Sequence, residues 1–116
     1  MTSPEFIYKI VSRAAFEGAR SAGVFPQMPI DLNDGFIHFS SAAQLRETLR
    51  LHFAGQANLI IFAVRPADIP DLRWEPSRGG QLFPHAYGPV PAAAVGREVS
   101  LSVAADGAVD LPDWIA

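Results

Sequence analysis

"LIIFAV", residues 59 to 64, is the stretch of this sequence that decides its fold. Six consecutive apolar residues are far too few to cross a bilayer. They are typical of a strand covered on both faces, because a strand with one exposed face would alternate apolar and polar residues. The stretch therefore predicts an interior strand, with the remainder of the chain packed around it.

The segments on either side of this strand predict an α+β fold with both main helices in the N-terminal half. Ser12 is a suitable N-cap for a first helix, and Ser41 with Gln44 forms a capping box for a second. Runs rich in β-branched and aromatic residues predict further strands. The predicted helices span about residues 13–22 and 42–54, and the predicted strands are 7–11, 36–40, 59–64 and 72–75.

The other segments are predicted to be loops, one helical turn and a terminal hairpin. Prolines and glycines in 24–35 and 78–90 indicate loops, and "PAAAV" at 91–95 indicates a single helical turn. Alternating apolar residues over 99–103 predict a strand that turns back at Asp106-Gly107. The element order, β-α-β-α-β and then mostly β, predicts a mixed sheet.

The composition indicates one globular domain, residues 1–116. Hydrophobic residues make up 49% of the chain and charged residues 18%, which suits one modest core. The net charge is −3 and the basic residues are scattered, so neither nucleic acid nor a membrane is expected as a partner. The chain has no cysteine, which excludes disulfides and thiolate chemistry, and its N-terminus has no secretory-signal pattern. We therefore predict a soluble, cytoplasmic protein.

Two of the three histidines are placed for chemistry. His38 lies in a predicted strand directly after a tight turn, and His85 lies in a segment that prolines pre-order. Glu75 ends a predicted strand. A pair of imidazoles with a carboxylate can perform acid–base chemistry, bind a metal ion or hold a polar ligand. His52, by contrast, falls on the apolar side of the second helix and is predicted to pack there.

The spacing of these residues argues against several specific sites. The histidines lack the short spacing of metal ligands, so no metal is expected. "HFS" (38–40) matches half of a phosphodiesterase signature of two His-x-Ser/Thr tripeptides, but "HAY" (85–87) fails at the third position. No serine lies in a Gly-x-Ser-x-Gly elbow.

Two longer stretches resemble a known bacterial family, domain of unknown function 952: "DGFIHFS" (34–40) and "WEPSRGGQLFPHAYGP" (74–89). That family resembles the ADP-ribosyltransferase fold, and within it most closely the RNA 2′-phosphotransferase branch. The resemblance implies a split mixed β-sheet with an NAD cleft between its halves. It also places Lys9 where that branch commonly has a histidine, which implies weak or absent turnover.

The resemblance also implies which residues line the cleft. Cleavage of the glycosidic bond of NAD needs a carboxylate near the ribose, for which Glu75 is the candidate. The expected ligand is NAD or an ADP-ribose-like nucleotide, either transferred, cleaved or simply bound. Two alternatives stay open: a non-catalytic small-molecule binding module of the same fold, and a hydrolase that uses the two histidines. The catalytic candidates are His38, Glu75 and His85, and the cofactor-binding candidates are Tyr8, Lys9, Ser40, Arg78, Phe83 and Tyr87.

Overall fold

The computed structural model describes residues 5–115. The first four residues, which belong to the N-terminal segment assessed for a secretory signal, lie outside this range. The main elements are β1 (Ile7–Ser12), α1 (Arg13–Ala22), α2 (Pro29–Asp34), β2 (Ile37–His38), α3 (Ala42–His52), β3 (Leu59–Val64), β4 (Leu72–Pro76), β5 (Leu82–Ala86) and β6 (Glu98–Leu101). Short 3-10 turns occur at Pro66–Asp68, Arg78–Gly80 and Ala92–Ala94, the last of them at the predicted helical turn.

The strands form two three-stranded sheets, with the orders β1-β3-β6 and β2-β5-β4. β3 is the middle strand of the first sheet, and all of its residues are buried, which confirms the interior strand predicted from "LIIFAV". The prediction of a mixed sheet is wrong, because every pairing between these strands is antiparallel. A continuous apolar run shows that both faces of a strand are covered, but it carries no information on the direction of the neighbouring strands.

Both predicted helices are present, with the predicted caps. α1 spans 13–22, and the hydroxyl of Ser12 accepts a hydrogen bond from the backbone N–H of Ala15. α3 begins after Ser41, whose N–H donates to the side-chain oxygen of Gln44. α3 ends at His52, two residues before the predicted end at 54. The packing role predicted for His52 is wrong, because this last residue of α3 is exposed.

α2 lies in a segment that the sequence analysis assigned to a loop. Proline is well suited to the first position of a helix, where no hydrogen bond from its nitrogen is needed, and Pro29 occupies that position. The carboxylate of Asp31 accepts the N–H of Met28 at 2.8 Å and so caps the same end. Gly35, at a φ of 82°, ends the helix in the left-handed conformation that favours glycine. This helix of about one and a half turns was therefore not predicted, because the same residues are also typical of turns.

β5 lies in the other segment predicted to be a loop, and it is the middle strand of the second sheet. Pro84 was the reason for expecting no central strand there, because proline cannot donate to a ladder. In the structure the carbonyl of Pro84 accepts the N–H of Phe39, which lies just beyond the two residues of β2. The nitrogen and carbonyl of one residue point to the same side of an antiparallel strand, so the nitrogen of Pro84 also points toward Phe39. The donor that proline lacks would point at Phe39, one residue past the end of β2, so the proline removes no bond between β2 and β5 themselves.

The predicted terminal hairpin forms its first strand, β6, and its turn, but, among residues 5–115, not its returning strand. Gly107 donates its N–H to the carbonyl of Ala104, and its φ is 88°. Within the described residues no strand follows this turn.

The core lies on both sides of the first sheet. One cluster joins this sheet to α1 and to the inner face of the second sheet, and another joins it to α3 and the C-terminal segment. The second sheet therefore buries the face that carries Ile37, Leu72 and Ala86 and leaves its opposite face outward. Across residues 5–115, no helix has the length and apolar character needed to cross a membrane.

Candidate functional site

The outer face of the second sheet brings the three predicted catalytic residues together. His38 of β2 lies opposite His85 of β5, which in turn lies opposite Arg73 of β4. Side chains two residues apart along a strand share a face, so Glu75 joins these residues. The ring centroids of the two histidines are 5.5 Å apart. We call the surface formed by Phe36, His38, Glu75, His85 and Tyr87 the histidine face.

His85 and Tyr87 both hydrogen-bond to one oxygen of Glu75. The Nδ1 atom of His85 lies 2.8 Å from Oε1 of Glu75, and the hydroxyl of Tyr87 donates to the same oxygen at 2.7 Å. The bond from Tyr87, followed by that from His85, lowers the pKa of Glu75, and the bond to Glu75 raises the pKa of Tyr87. An ionised carboxylate can only accept, so Nδ1 of His85 carries a proton.

The other ring nitrogen of His85 is open. His85 is only 3% exposed, and within the described residues Nε2 has no hydrogen-bond partner. No side-chain nitrogen or oxygen in that part of the chain is both fully buried and unpaired, so Nε2 reaches the surface. The imidazole of His85 is thus nearly buried, with Nε2 not fully shielded from solvent.

His38 is held differently, between two carboxylates. Its Nδ1 lies 2.8 Å from Oδ1 of Asp31, and its Nε2 lies 2.9 Å from Oδ2 of Asp34. Asp31 is fully buried and also binds the ammonium group of Lys9 at 3.1 Å. Lys9 was predicted to contact a cofactor, but it is 4% exposed and lies behind His38, which it reaches only through Asp31.

The charges in this buried group stabilise one another. Burial would raise the pKa of Asp31, but the hydrogen bond from His38, the charge of Lys9 and two backbone N–H groups together lower it to about 2. Burial also lowers the pKa of Lys9, against the effect of Asp31. The carboxylate of Asp31 is therefore ionised over the whole physiological range and orients both Lys9 and His38.

The lowered pKa of Asp31 predicts a loss of stability in acid. A carboxyl group whose folded-state pKa is below its ordinary value of 3.8 stabilises the fold above about pH 4, and that contribution is lost as the pH falls to about 2. The difference corresponds to roughly 2 kcal/mol of the free energy of unfolding. Urea denaturation between pH 5 and pH 2 measures the loss, and the ¹³C shift of the Asp31 carboxyl group assigns it. An Asp31 midpoint near the ordinary value would contradict the prediction.

One end of the histidine face is aromatic. The ring centroid of Phe36 lies 4.1 Å from that of His85, 4.6 Å from that of His38 and 5.4 Å from that of Tyr87. The guanidinium group of Arg73 lies 4.5 Å above the ring of Tyr87, which is 40% exposed. Phe36 was not predicted as a site residue, although its position two residues before His38 on a strand was the signal that places it on the same face.

The other end of the histidine face carries a group made of two hydroxyls and a guanidinium. Arg78 donates to the hydroxyl of Thr48 at 3.2 Å, and that hydroxyl lies 3.4 Å from the hydroxyl of Ser40. The guanidinium carbon of Arg78 lies 5.0 Å from the ring centroid of Phe83, which is two residues from His85 on β5. Ser40, Arg78 and Phe83 thus form one group beside the two histidines.

Like Lys9, Tyr8 was predicted as a site residue, but the fold places it away from the histidine face. It is 3% exposed and belongs to the core cluster on the α3 side of the first sheet, where its ring lies 6.4 Å from that of Trp114. Asp31 and Asp34, in turn, were not predicted as site residues, because the segment that contains them was predicted to be a loop. Within residues 5–115, no three histidine, aspartate or glutamate side chains are grouped as metal ligands.

The fold and the site define a class of small α+β protein, with two antiparallel three-stranded sheets and two carboxylate-bound histidines on the outer face of one of them. The family model described as "protein of unknown function (DUF952)" matches residues 10–98, and the chain belongs to that family. This confirms the family resemblance predicted from residues 34–40 and 74–89.

Solved structures of one protein are similar to this chain over almost its whole length. The crystal structure of protein CC0527 from Caulobacter crescentus is 46% identical, covers 95% of this chain and 97% of that chain, and has a TM-score of 0.86. The solution structure of CC0527 is 47% identical over 90% of each chain, with a TM-score of 0.76. No curated protein matches the chain.

Proposed function

We propose that the histidine face binds NAD or an ADP-ribose-like nucleotide. The observation that carries the proposal is the order of chemical groups along this face. Phe36 and Tyr87 lie at one end, the two histidines with Glu75 lie in the middle, and the group with Arg78 lies at the other end. Phe83 lies on β5 and Tyr87 directly follows this strand, so four residues separate them, which corresponds to roughly 13 Å of extended chain. An extended nucleotide fits a face of this length and order.

Each part of the face suits one part of such a ligand. The exposed ring of Tyr87, supported by Phe36, can stack on a nicotinamide or adenine ring. The carboxylate of Glu75 can accept hydrogen bonds from ribose hydroxyls. Arg78 can bind a diphosphate, for which a guanidinium group is the best-matched side chain.

The proposal includes a relationship to the ADP-ribosyltransferase fold, on the RNA 2′-phosphotransferase branch. Two features support it: the sequence stretches 34–40 and 74–89, and the division of the strands between two sheets. Lys9 then differs in role from the histidine common at its position, because it is buried against Asp31. It supports His38 from behind and makes no contact with the nucleotide.

Backbone amide NMR during titration with NAD and with ADP-ribose tests the proposal. We expect shifts confined to residues 36–40 and 73–87 and a dissociation constant between micromolar and millimolar. Arg78→Ala should weaken ADP-ribose binding by about tenfold, because it removes a charge-assisted contact to phosphate. Leu82→Ala is the matched control, since Leu82 lies on β5 but on the other face and is 53% exposed.

Two results would overturn the proposal. One is the absence of shifts at millimolar ligand, and the other is a set of shifts that lies away from the histidine face. An equal loss of affinity in Arg78→Ala and Leu82→Ala would contradict the proposed contact between Arg78 and the diphosphate.

A further inference from the structure

The two histidines of the histidine face differ in what their ring nitrogens contact. Both nitrogens of His38 lie within hydrogen-bond distance of carboxylate oxygens, one from buried Asp31 and one from Asp34. His38 therefore has no free nitrogen with which to exchange a proton with a ligand. His85 has one nitrogen bound to Glu75 and one that, within residues 5–115, has no hydrogen-bond partner and is not fully buried.

The contact with Glu75 sets the tautomer of His85. Because the proton lies on Nδ1, the neutral ring carries its lone pair on Nε2, the nitrogen that reaches the surface. Tyr87 in turn holds the carboxylate through the same oxygen. A carboxylate that orients an imidazole, whose second nitrogen has no hydrogen-bond partner among residues 5–115, is the arrangement of a general base.

We propose that His85 is the proton acceptor of this site and that Glu75 and Tyr87 are positioning residues. His38 lines the site without exchanging a proton with the ligand. This inference rests on the proposed function, to which it adds a division of roles. It also adds turnover, against the weak or absent turnover implied by Lys9, because the buried side chain of Lys9 does not lie on the histidine face. With a nucleotide such as NAD as the ligand, the step in which a proton acceptor serves is attack of a water molecule or an alcohol on the ribose carbon that carries the leaving base.

With NAD as substrate the step balances as follows. The attacking water loses a proton to Nε2 of His85 while its oxygen forms a bond to the ribose carbon. The bond between that carbon and the nicotinamide nitrogen breaks, and its electron pair stays on the nitrogen, which becomes neutral. The products are ADP-ribose and nicotinamide, and His85 then releases the proton to solvent. An alcohol in place of water gives ADP-ribosyl transfer by the same step.

Release of nicotinamide and binding of NAD, measured on the same variants, test the inference. His85→Gln keeps a donor for Glu75 but has no basic nitrogen, so nicotinamide release should fall by about 100-fold or more. The dissociation constant for NAD should change little, by about threefold at most, because a base acts mainly in the transition state. His52→Gln is the matched control, since His52 is exposed at the end of α3.

The tautomer of His85 is a second readout, independent of any ligand. Long-range ¹H–¹⁵N spectra of histidine-labelled wild-type protein should show the proton of neutral His85 on Nδ1, and Glu75→Gln should disturb that pattern. A proton on Nε2 in the wild type would overturn the inference. Binding of NAD without release by the wild type would overturn the inference and leave the proposed function intact, whereas failure of NAD to bind would overturn both.

Discussion

Replacing Asp31 with asparagine should lower the free energy of unfolding by about 3–5 kcal/mol. The carboxylate of Asp31 is fully buried and accepts hydrogen bonds from the ammonium of Lys9 at 3.1 Å and from the ring of His38 at 2.8 Å. It also accepts the backbone N–H groups of Met28 and His38. An asparagine of the same shape removes the negative charge and leaves the ammonium of Lys9 buried without a counter-charge. Urea denaturation near pH 7 measures the loss.

Asp34→Asn is the control for this change, because Asp34 lies three residues along the same helix and contacts the same histidine. Its carboxylate is exposed, so its pairing with His38 should contribute less than about 1 kcal/mol. The double variant Lys9→Met with Asp31→Asn should lose less stability than Asp31→Asn alone, since no ammonium group stays buried without a counter-charge and the asparagine oxygen still accepts hydrogen bonds at this position. Equal losses in Asp31→Asn and Asp34→Asn would show that the buried group does not stabilise the fold in this way.

Phe62→Ala should lower the free energy of unfolding by a similar amount, about 3–5 kcal/mol. Phe62 lies on β3 and is fully buried. Its ring stacks on that of Phe25 at 4.4 Å and lies 6.0 Å from that of Phe16. Removing the ring leaves a cavity where β3, α1 and the 23–28 segment meet, and these elements cannot close the space without moving the first sheet. Denaturation by urea, with circular dichroism as the signal, measures the effect.

Leu82→Ala serves as the control for Phe62→Ala. Leu82 is 53% exposed at the start of β5, so its truncation should change the free energy of unfolding by about 0.5 kcal/mol or less. A loss below 1.5 kcal/mol for Phe62→Ala would mean that the cluster around β3 repacks, and that this strand is a weaker centre of the fold than its burial indicates.

The candidate site was partly predictable because its reactive groups are rare in this chain. His38, His85 and Glu75 are ionisable residues beside turns, and the fold brings all three to one face. Phe36 could also have been predicted as a site residue, because it lies two residues before His38 and alternate residues of a strand share a face. Asp31 was not, because its contact with Lys9 joins residues 22 positions apart, and no local pattern marks such a pair.

The sequence by itself determined the elements whose signals are local. Continuous apolar residues at 59–64 indicated a strand covered on both faces, and the caps at Ser12 and Ser41 marked the starts of two helices, because burial and capping depend on residues a few positions apart. Only the tertiary structure decided that every strand pair is antiparallel and that Pro84 lies in a central strand. It also decided that both nitrogens of His38 contact carboxylates, whereas Nε2 of His85 has no partner within residues 5–115. These properties depend on which distant segments meet, and the free energy that selects the partners comes from the packing of the whole core.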